Sequence, residues 1–116
     1  MKLLIVDDHA GMRAMIRESI GDLFSCVLEC SSGVQAAAEC AEFTPDCVTV
    51  DLGMRPMNGF QTLERLRALR PQARFVVVTQ FDDAALRKRS RLCGATRYIV
   101  KDRLQELRAY LQSLPT

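Results

Sequence analysis

Four short apolar runs in this sequence are each followed directly by polar side chains that can do chemistry. In chain order these are an acidic pair, a single acid, a hydroxyl and an amine: Asp7 with Asp8, Asp51, Thr79 and Lys101. If the runs form parallel strands, their carboxyl ends meet at one edge of the sheet, where open α/β sheets bind ligands. The four groups are therefore expected to form one site.

The predicted site brings three carboxylates together, and these repel one another unless a cation lies between them or they share protons. Mg²⁺ is the natural candidate, because it takes a few carboxylates and leaves positions for water and a phosphoryl oxygen. Asp51 is the best nucleophile, with Asp7 and Asp8 as metal or water ligands. Attack by Asp51 on phosphorus would form an aspartyl phosphate, with Thr79 supplying a hydroxyl donor and Lys101 a positive charge.

Each of these residues also has a purely structural interpretation. An acid after a strand commonly caps a helix or forms a turn, a threonine can simply end a strand, and a lysine can be a solvated charge. Any one residue taken alone favours that interpretation. The ordered occurrence of all four groups at four different strand ends favours a shared site.

The elements that must position these groups are five β-rich apolar runs, which alternate with segments of helical period. The predicted strands are Leu3–Val6, Cys26–Leu28, Cys47–Val50, Phe75–Val78 and Tyr98–Val100. Right-handed crossovers between them predict an α/β fold with a doubly wound, five-stranded parallel sheet of (βα)5 type.

The helices are predicted from apolar residues that recur every three or four positions. The expected core-facing stripes are Met12, Met15, Ile16, Ile20 and Leu23; Val34, Ala37, Ala38 and Ala41; Phe60, Leu63 and Leu66; and Leu104, Leu107, Leu111 and Leu114. A weaker fourth helix is predicted over residues 83–92, followed by Gly94 as its carboxyl-terminal cap.

Length and composition limit the class of protein. A chain of 116 residues, 48% hydrophobic and 26% charged, fits one compact domain over residues 1–116. Its net charge of +2 does not indicate nucleic-acid binding by this segment. The apolar runs are far shorter than the roughly 20 residues that span a bilayer. We expect a cytoplasmic domain that contacts neither membrane nor DNA directly.

Cysteine and histidine usage argues against a disulfide framework or a zinc site. The five cysteines form an odd set without CxxC spacing: Cys26, Cys30, Cys40, Cys47 and Cys93. We expect reduced, buried thiols. The only histidine, His9, is expected in a loop or a first helical turn and not as a ligand.

The sequence resembles the receiver domains of two-component response regulators over essentially its whole length. LIVDDH at 4–9 resembles the acidic-pair opening of that family, and VDLGM at 50–54 with Asn58–Gly59 resembles its phosphoacceptor strand and loop. VVT at 77–79 and GATRYIVK at 94–101 complete the set. His9 and the Lys101–Asp102 pair are most similar to receivers that precede a helix-turn-helix DNA-binding domain.

This resemblance implies a flavodoxin-like fold with strand order 2-1-3-4-5. It implies that Asp51 accepts a phosphoryl group from a histidine kinase or phosphotransfer protein. It also implies that Asp8, Asp51 and the Gly53 carbonyl bind Mg²⁺ with assistance from Asp7. The domain would not be an enzyme with a separate substrate, because it would catalyse only its own phosphorylation and dephosphorylation.

The resemblance also assigns the switch. Thr79 and Lys101 would contact the phosphoryl group, and Tyr98 would turn as the aromatic switch. The face made by the fourth helix, the fifth strand and the last helix would then change and control an output, expected to be transcriptional, or a partner. Dimerisation on phosphorylation is a further expectation.

Two departures from the family pattern keep an alternative open. Arg55 stands where the family usually has proline, and Gln80 stands where it usually has a small residue after the threonine. A receiver-like module that docks to its partner without phosphorylation is therefore the second hypothesis. A third, a hydrolase of the haloacid-dehalogenase type, is disfavoured because Gly53 occupies the place of that family's second aspartate.

The predicted switch face is basic. Its cations are Arg87, Lys88, Arg89 and Arg91, with Arg103 and Arg108 near the last helix. Such a surface is either a solvated helix face or a site for dimerisation or for an acidic partner.

Overall fold

The computed structural model describes residues 1–115, so Thr116, the last residue of the predicted domain, lies outside the described part. One sheet contains five parallel strands: β1 (Lys2–Val6), β2 (Cys26–Cys30), β3 (Cys47–Val50), β4 (Arg74–Thr79) and β5 (Arg97–Val100). Their order is β2-β1-β3-β4-β5, which confirms the predicted doubly wound, flavodoxin-like topology. The observed strands extend the predicted ones by no more than two residues at either end.

Helices cover both faces of this sheet. They are α1 (Ala10–Ile20), α2 (Gly33–Phe43), α3 (Gly59–Leu69), α4 (Ala84–Leu92) and α5 (Leu104–Ser113), with 3-10 turns at Gly21–Leu23 and Lys101–Arg103. Among the described residues, no helix combines the length and the apolar character that crossing a bilayer requires.

Alternation along the strands divides the core into two layers, because successive strand residues point to opposite faces of a sheet. Leu4 and Val6 belong to the cluster that α2 and α3 cover. Leu3 and Ile5 belong to the cluster that α1 and α5 cover. β3 is buried at every position, as expected for a central parallel strand between two helical layers.

Two predicted helix stripes need correction. In α1, Ile16 and Ile20 are buried but Met15 is 53% exposed. In α2 the predicted stripe from Val34 is wrong: Val34 is 53% exposed and the buried positions are Gly33, Ala36 and Cys40. This alanine-rich segment is apolar on several faces, so its pattern does not determine which face packs on the sheet.

The α2 register is set at its first turn. The Ser32 side chain accepts a hydrogen bond from the Gln35 amide at 3.1 Å, which caps the helix and places Gly33 at its start. A Cβ on Gly33 would overlap the Thr62 hydroxyl, so α2 approaches α3 closely at this point. Capping and contact with α3 thus decide the buried face.

The cysteines follow the prediction in part. All five are free, and Cys30, Cys40 and Cys47 are buried. Cys26 is exposed at the start of the edge strand β2, and Cys93 is only half-buried after α4. Gly94 follows the Cys93 cap with a φ of 106°, a conformation that glycine tolerates best.

Candidate functional site

The acidic pair lies directly after β1. Asp7 is 1% exposed, its amide donates to the Cys30 carbonyl at 3.1 Å, and its Oδ1 accepts the His9 amide at 2.8 Å. Asp8 is exposed and its Oδ1 lies 2.9 Å from His9 Nδ1. The two acids are therefore adjacent in sequence but differ in environment, since one is buried and the other faces solvent.

Asp51 follows β3 at the same edge. Its amide donates to the Val6 carbonyl at 3.0 Å, which ties it to the end of β1. The start of α3 packs on this segment, because the Gly59 amide donates to the Leu52 carbonyl at 3.1 Å. A Cβ on Gly59 would overlap the Asp51 carbonyl oxygen. Close packing by α3 thus holds the backbone of the predicted nucleophile.

Lys101 bridges the two buried acids. Its Nζ lies 3.1 Å from Asp7 Oδ2 and 3.2 Å from Asp51 Oδ1, and its side chain is 18% exposed. Within residues 1–115, Asp7 Oδ2 makes no hydrogen bond of acceptable geometry, so the short contact with Nζ is an ion pair with poor alignment. The lysine therefore offsets part of the negative charge and leaves one buried oxygen without a donor.

The electrostatics of Asp51 and Lys101 reflect this crowding. Burial, and then the charge of Asp7, raise the pKa of Asp51 above its ordinary value, although Lys101 opposes the shift. Burial alone would lower the pKa of Lys101. The charges of Asp51 and Asp7 outweigh burial, so the pKa of Lys101 is raised. An ionised Asp51 in this site consequently needs cations nearby.

The donor set fits a divalent cation. Ligand atoms of Asp7, Asp8, His9 and Asp51 lie within 4.8 Å of one another. Gly53 is adjacent, since a Cβ on it would lie 3.8 Å from Asp51 Oδ2. Three carboxylates face a single ammonium, and one buried oxygen lacks a donor, so the cluster carries an excess of negative charge that a cation would neutralise.

His9 belongs to this cluster by position, although the sequence interpretation set it aside as a ligand. It is the residue that precedes α1, as expected for a loop or first-turn position, and its side chain is 73% exposed. Oxygen ligands suit Mg²⁺ better than imidazole does.

Thr79 and Tyr98 are connected through one residue of the loop after β4. Thr79 ends β4 and pairs in register with Val100, the neighbour of Lys101. The Phe81 amide donates to Thr79 Oγ1 at 3.4 Å, and the Tyr98 hydroxyl donates to the Phe81 carbonyl at 2.6 Å. Displacement of Thr79 would therefore disturb the bond that holds the half-buried Tyr98 ring.

The basic face needs one correction. Arg108 does not lie on it, because its guanidinium pairs with Asp22 Oδ1 at 2.7 Å and donates to the Ser19 carbonyl, against α1. Arg89 stacks on Phe60 of α3, 4.1 Å from the ring centroid. Arg97, which nothing in the sequence singled out, stacks on Tyr110, with its guanidinium 4.8 Å from the ring centroid.

A groove of about 400 Å³ lies between α4, β5 and α5. Arg87, Arg91, Arg97, Tyr98 and Glu106 contribute to its lining. Arg87 also stacks on the Tyr98 ring at 4.6 Å and pairs with Asp82 Oδ1 at 2.9 Å. Tyr98, the predicted switch residue, thus lies at the wall of this groove.

Sequence reasoning also missed Arg13 and Glu29. Arg13 Nη1 donates to the Asp7 carbonyl at 2.7 Å, and Arg13 Nε donates to Glu29 at 3.2 Å. Arg13 is one of 16 basic residues, and nothing in the pattern distinguishes it from the others. The two departures from the family pattern, Arg55 and Gln80, both have exposed side chains.

Comparisons with known proteins relate nearly the whole chain to one family. A family model described as Response regulator receiver domain matches residues 3–112. The chain is 34% identical over 101 residues to chemotaxis protein CheY of Bacillus subtilis, a match that covers 86% of this chain and 84% of that protein. It is 33% identical over 104 residues to the nitrate/nitrite response regulator protein homolog of Haemophilus influenzae, covering 88% of this chain but 50% of that protein.

The fold has close counterparts among solved structures. The chemotaxis protein CheY4 of Vibrio cholerae superimposes with a TM-score of 0.87 over 98% of both chains, at 24% sequence identity. At that identity the likeness concerns the fold alone.

Proposed function

Since this chain belongs to the response regulator receiver domain family, we propose that it is a phosphorylation switch in which Asp51 accepts the phosphoryl group. The observation that carries the proposal is the position of Lys101 Nζ, 3.1 Å from Asp7 Oδ2 and 3.2 Å from Asp51 Oδ1. A buried cation beside a buried carboxylate keeps that carboxylate available as a nucleophile and offsets charge on a transferring group.

In the proposed reaction an Asp51 carboxylate oxygen attacks phosphorus in line. The phosphorus–nitrogen bond of a donor phosphohistidine breaks as the new phosphorus–oxygen bond forms. Lys101 offsets the charge on the phosphoryl oxygens, and Thr79, which pairs in register with the residue before Lys101, supplies a hydroxyl to one of them. The domain acts only on itself, so the reaction is a switch and not turnover of a separate substrate.

Asp8, Asp51 and the Gly53 carbonyl would hold Mg²⁺, and Asp7 would assist. When bound, Mg²⁺ neutralises charge on the phosphoryl oxygens and on the acidic cluster. Asp7 would assist through Lys101, because its buried carboxylate holds the lysine beside Asp51.

The switch is proposed to run from Thr79 to Tyr98. A phosphoryl group biases only an element that already has two arrangements. If Thr79 turns toward it, the hydrogen bond from the Phe81 amide is lost and the loop that holds the Tyr98 hydroxyl is released. The Tyr98 ring then moves against the groove between α4, β5 and α5, so this face differs between the two states.

We expect a histidine kinase or a phosphotransfer protein as the donor, a cytoplasmic location, and an output that is transcriptional. The free cysteines suit a reducing compartment. The chain also matches about half of a putative transcriptional regulator of Pseudomonas aeruginosa, with 31% identity over 108 residues, which supports a transcriptional output. We propose the groove, with Arg87, Arg91 and Arg97, as the surface for a second phosphorylated copy or an acidic partner.

Intact mass after incubation with acetyl phosphate tests the proposal. One phosphoryl adduct is expected on the wild type in the presence of Mg²⁺, and none in EDTA. The Asp51→Asn variant should take no adduct, whereas Asp46→Asn, which changes an acid at the opposite end of β3, should take it like the wild type. A folded wild type without an adduct under any condition would favour the phosphorylation-independent docking module.

A further inference from the structure

The backbone carbonyl of Asp7 needs a partner that the sheet does not provide. β1 pairs with β2 and β3 only as far as Val6, and Asp7 is 1% exposed. A buried carbonyl without a partner costs free energy comparable to a lost hydrogen bond. Arg13, in the first turn of α1, donates this hydrogen bond from Nη1 at 2.7 Å.

Arg13 is itself held from the edge strand. Its Nε donates to Glu29 Oε1 at 3.2 Å, and Glu29 Oε2 accepts from Arg17 Nε at 2.7 Å. The Arg13 side chain is 17% exposed. A guanidinium presents several donors in one rigid plane, so it can bind the carbonyl and the carboxylate at the same time, which an ammonium on a flexible stem does less well.

The hydrogen bond from Arg13 to the Asp7 carbonyl restrains the peptide that joins Asp7 to Asp8. The Asp7 carbonyl and the Asp8 amide belong to one planar unit. On its other side, the Asp7 amide donates to the Cys30 carbonyl at 3.1 Å, so Asp7 is held at both its amide and its carbonyl. The hydrogen bond from Arg13 therefore restrains the orientation of the peptide that leads into Asp8.

We propose that Arg13, oriented by Glu29, is a positioning residue for the acidic pair. It fixes the Asp7–Asp8 peptide so that the Asp8 carboxylate faces Asp51 before a cation arrives. This inference rests on the proposed function, because it assigns a residue that prepares the same site. Arg13 acts through the backbone and is not itself a ligand or a catalytic residue.

Mg²⁺ binding by calorimetry, together with the Mg²⁺ dependence of phosphorylation by acetyl phosphate, tests this role. Arg13→Ala should weaken Mg²⁺ binding about tenfold, in the range seen when a group supporting a metal ligand is removed. At saturating Mg²⁺ its phosphorylation rate should stay within about twofold of the wild type, because only the metal-binding step loses its preorganisation. Arg13→Lys, which keeps a positive charge and one donor nitrogen, should recover part of the affinity.

Arg17→Ala is the matched control. It removes the other arginine that binds Glu29 but has no bond to Asp7, so its Mg²⁺ affinity should equal that of the wild type. Equal losses in the two alanine variants, or unchanged Mg²⁺ affinity in folded Arg13→Ala, would overturn the inference. Should Arg13→Ala fail to fold, Glu29→Ala, which removes the acceptor of Arg13 Nε, tests the same link, and an unchanged Mg²⁺ affinity there would overturn the inference.

The two proposals fail in different ways. A wild type that binds no Mg²⁺ and takes no phosphoryl group contradicts the proposed function. A wild type that does both while Arg13→Ala does both equally well contradicts only the role of Arg13.

Discussion

Nζ of Lys101 lies 3.2 Å from Oδ1 of Asp51, and both side chains are largely buried where β3 and β5 end. β3 and β5 are not neighbours in the sheet, since β4 lies between them. The ion pair between Lys101 and Asp51 therefore depends on the segments that follow β3 and β5, which meet over the end of β4.

Lys101→Met should destabilise the fold in the absence of divalent cations. The substitution leaves Asp7 and Asp51 without their shared cation, and removing one partner of a buried ion pair costs about 3–5 kcal/mol. Because the Lys101 side chain is 18% exposed, we expect a loss at the low end of that range. Urea denaturation in EDTA measures the loss. Lys88→Met, which removes an exposed lysine of α4, should change the free energy of unfolding by less than about 0.5 kcal/mol. Mg²⁺ should stabilise Lys101→Met more than it stabilises the wild type, and an equal effect on both would contradict this account of the site.

Asp51→Asn should make the metal-free protein more stable at neutral pH. The folded protein raises the pKa of Asp51 above its unfolded value near 3.8, so the folded state holds this proton more tightly than the unfolded state does. Stability from this group is present below the unfolded pKa and is lost as the pH rises through the folded pKa. The free energy of unfolding of Asp51→Asn should thus equal that of the wild type below the unfolded pKa, exceed it increasingly as the pH rises, and level off above the folded pKa.

Denaturation curves in EDTA across that pH range test the sign of the effect. Asp102→Asn, which removes an equal charge from an exposed position, serves as the control and should show no comparable growth. A variant that loses stability relative to the wild type as the pH rises would show that Lys101 more than compensates the burial of Asp51.

Tyr98→Phe should loosen the loop after β4 without preventing phosphorylation. The variant lacks the 2.6 Å hydrogen bond from the tyrosine hydroxyl to the Phe81 carbonyl. Losing one such bond lowers the free energy of unfolding by about 1 kcal/mol. Amide hydrogen exchange over residues 80–83 should become faster, while the mass adduct on Asp51 forms as before. Tyr110→Phe, whose hydroxyl lies 3.3 Å from Thr96 and away from this loop, should leave that exchange unchanged.

Gly59→Ala should damage the site through packing alone. A methyl group there overlaps the Asp51 carbonyl and Leu52, and overpacking of this kind costs about 1–3 kcal/mol. Gly11→Ala is the matched control, because a Cβ on Gly11 meets nothing within 4 Å in α1, and it should stabilise the fold by about 0.5 kcal/mol. Thermal denaturation of both variants makes the comparison. A neutral Gly59→Ala would mean that α3 can move away from Asp51 at little cost.

The fold was readable from local patterns. The strands are short, mostly apolar runs, buried throughout in the central β3 and only partly in the edge strand β2. Their alternation with helical segments leaves few topologies once crossovers are right-handed. The convergence of Asp7, Asp51 and Lys101 followed from the same reasoning, because the carboxyl ends of parallel strands meet at one edge. The roles proposed for Gly53 and Tyr98 rest on the family resemblance alone. These roles and the chemical roles of the other site residues stay predictions.

Sequence alone thus determined the parallel five-stranded sheet and the edge where the acids and the lysine meet, because these depend on residue type and period along the chain. The strand order came from the family resemblance. Only the tertiary structure decided which face of α2 is buried, that Arg108 pairs with Asp22, and that Arg13 binds the Asp7 carbonyl. Those outcomes depend on which elements pack together and at what angle. A basic residue on a helix has no partner until the neighbouring strand or helix is in place.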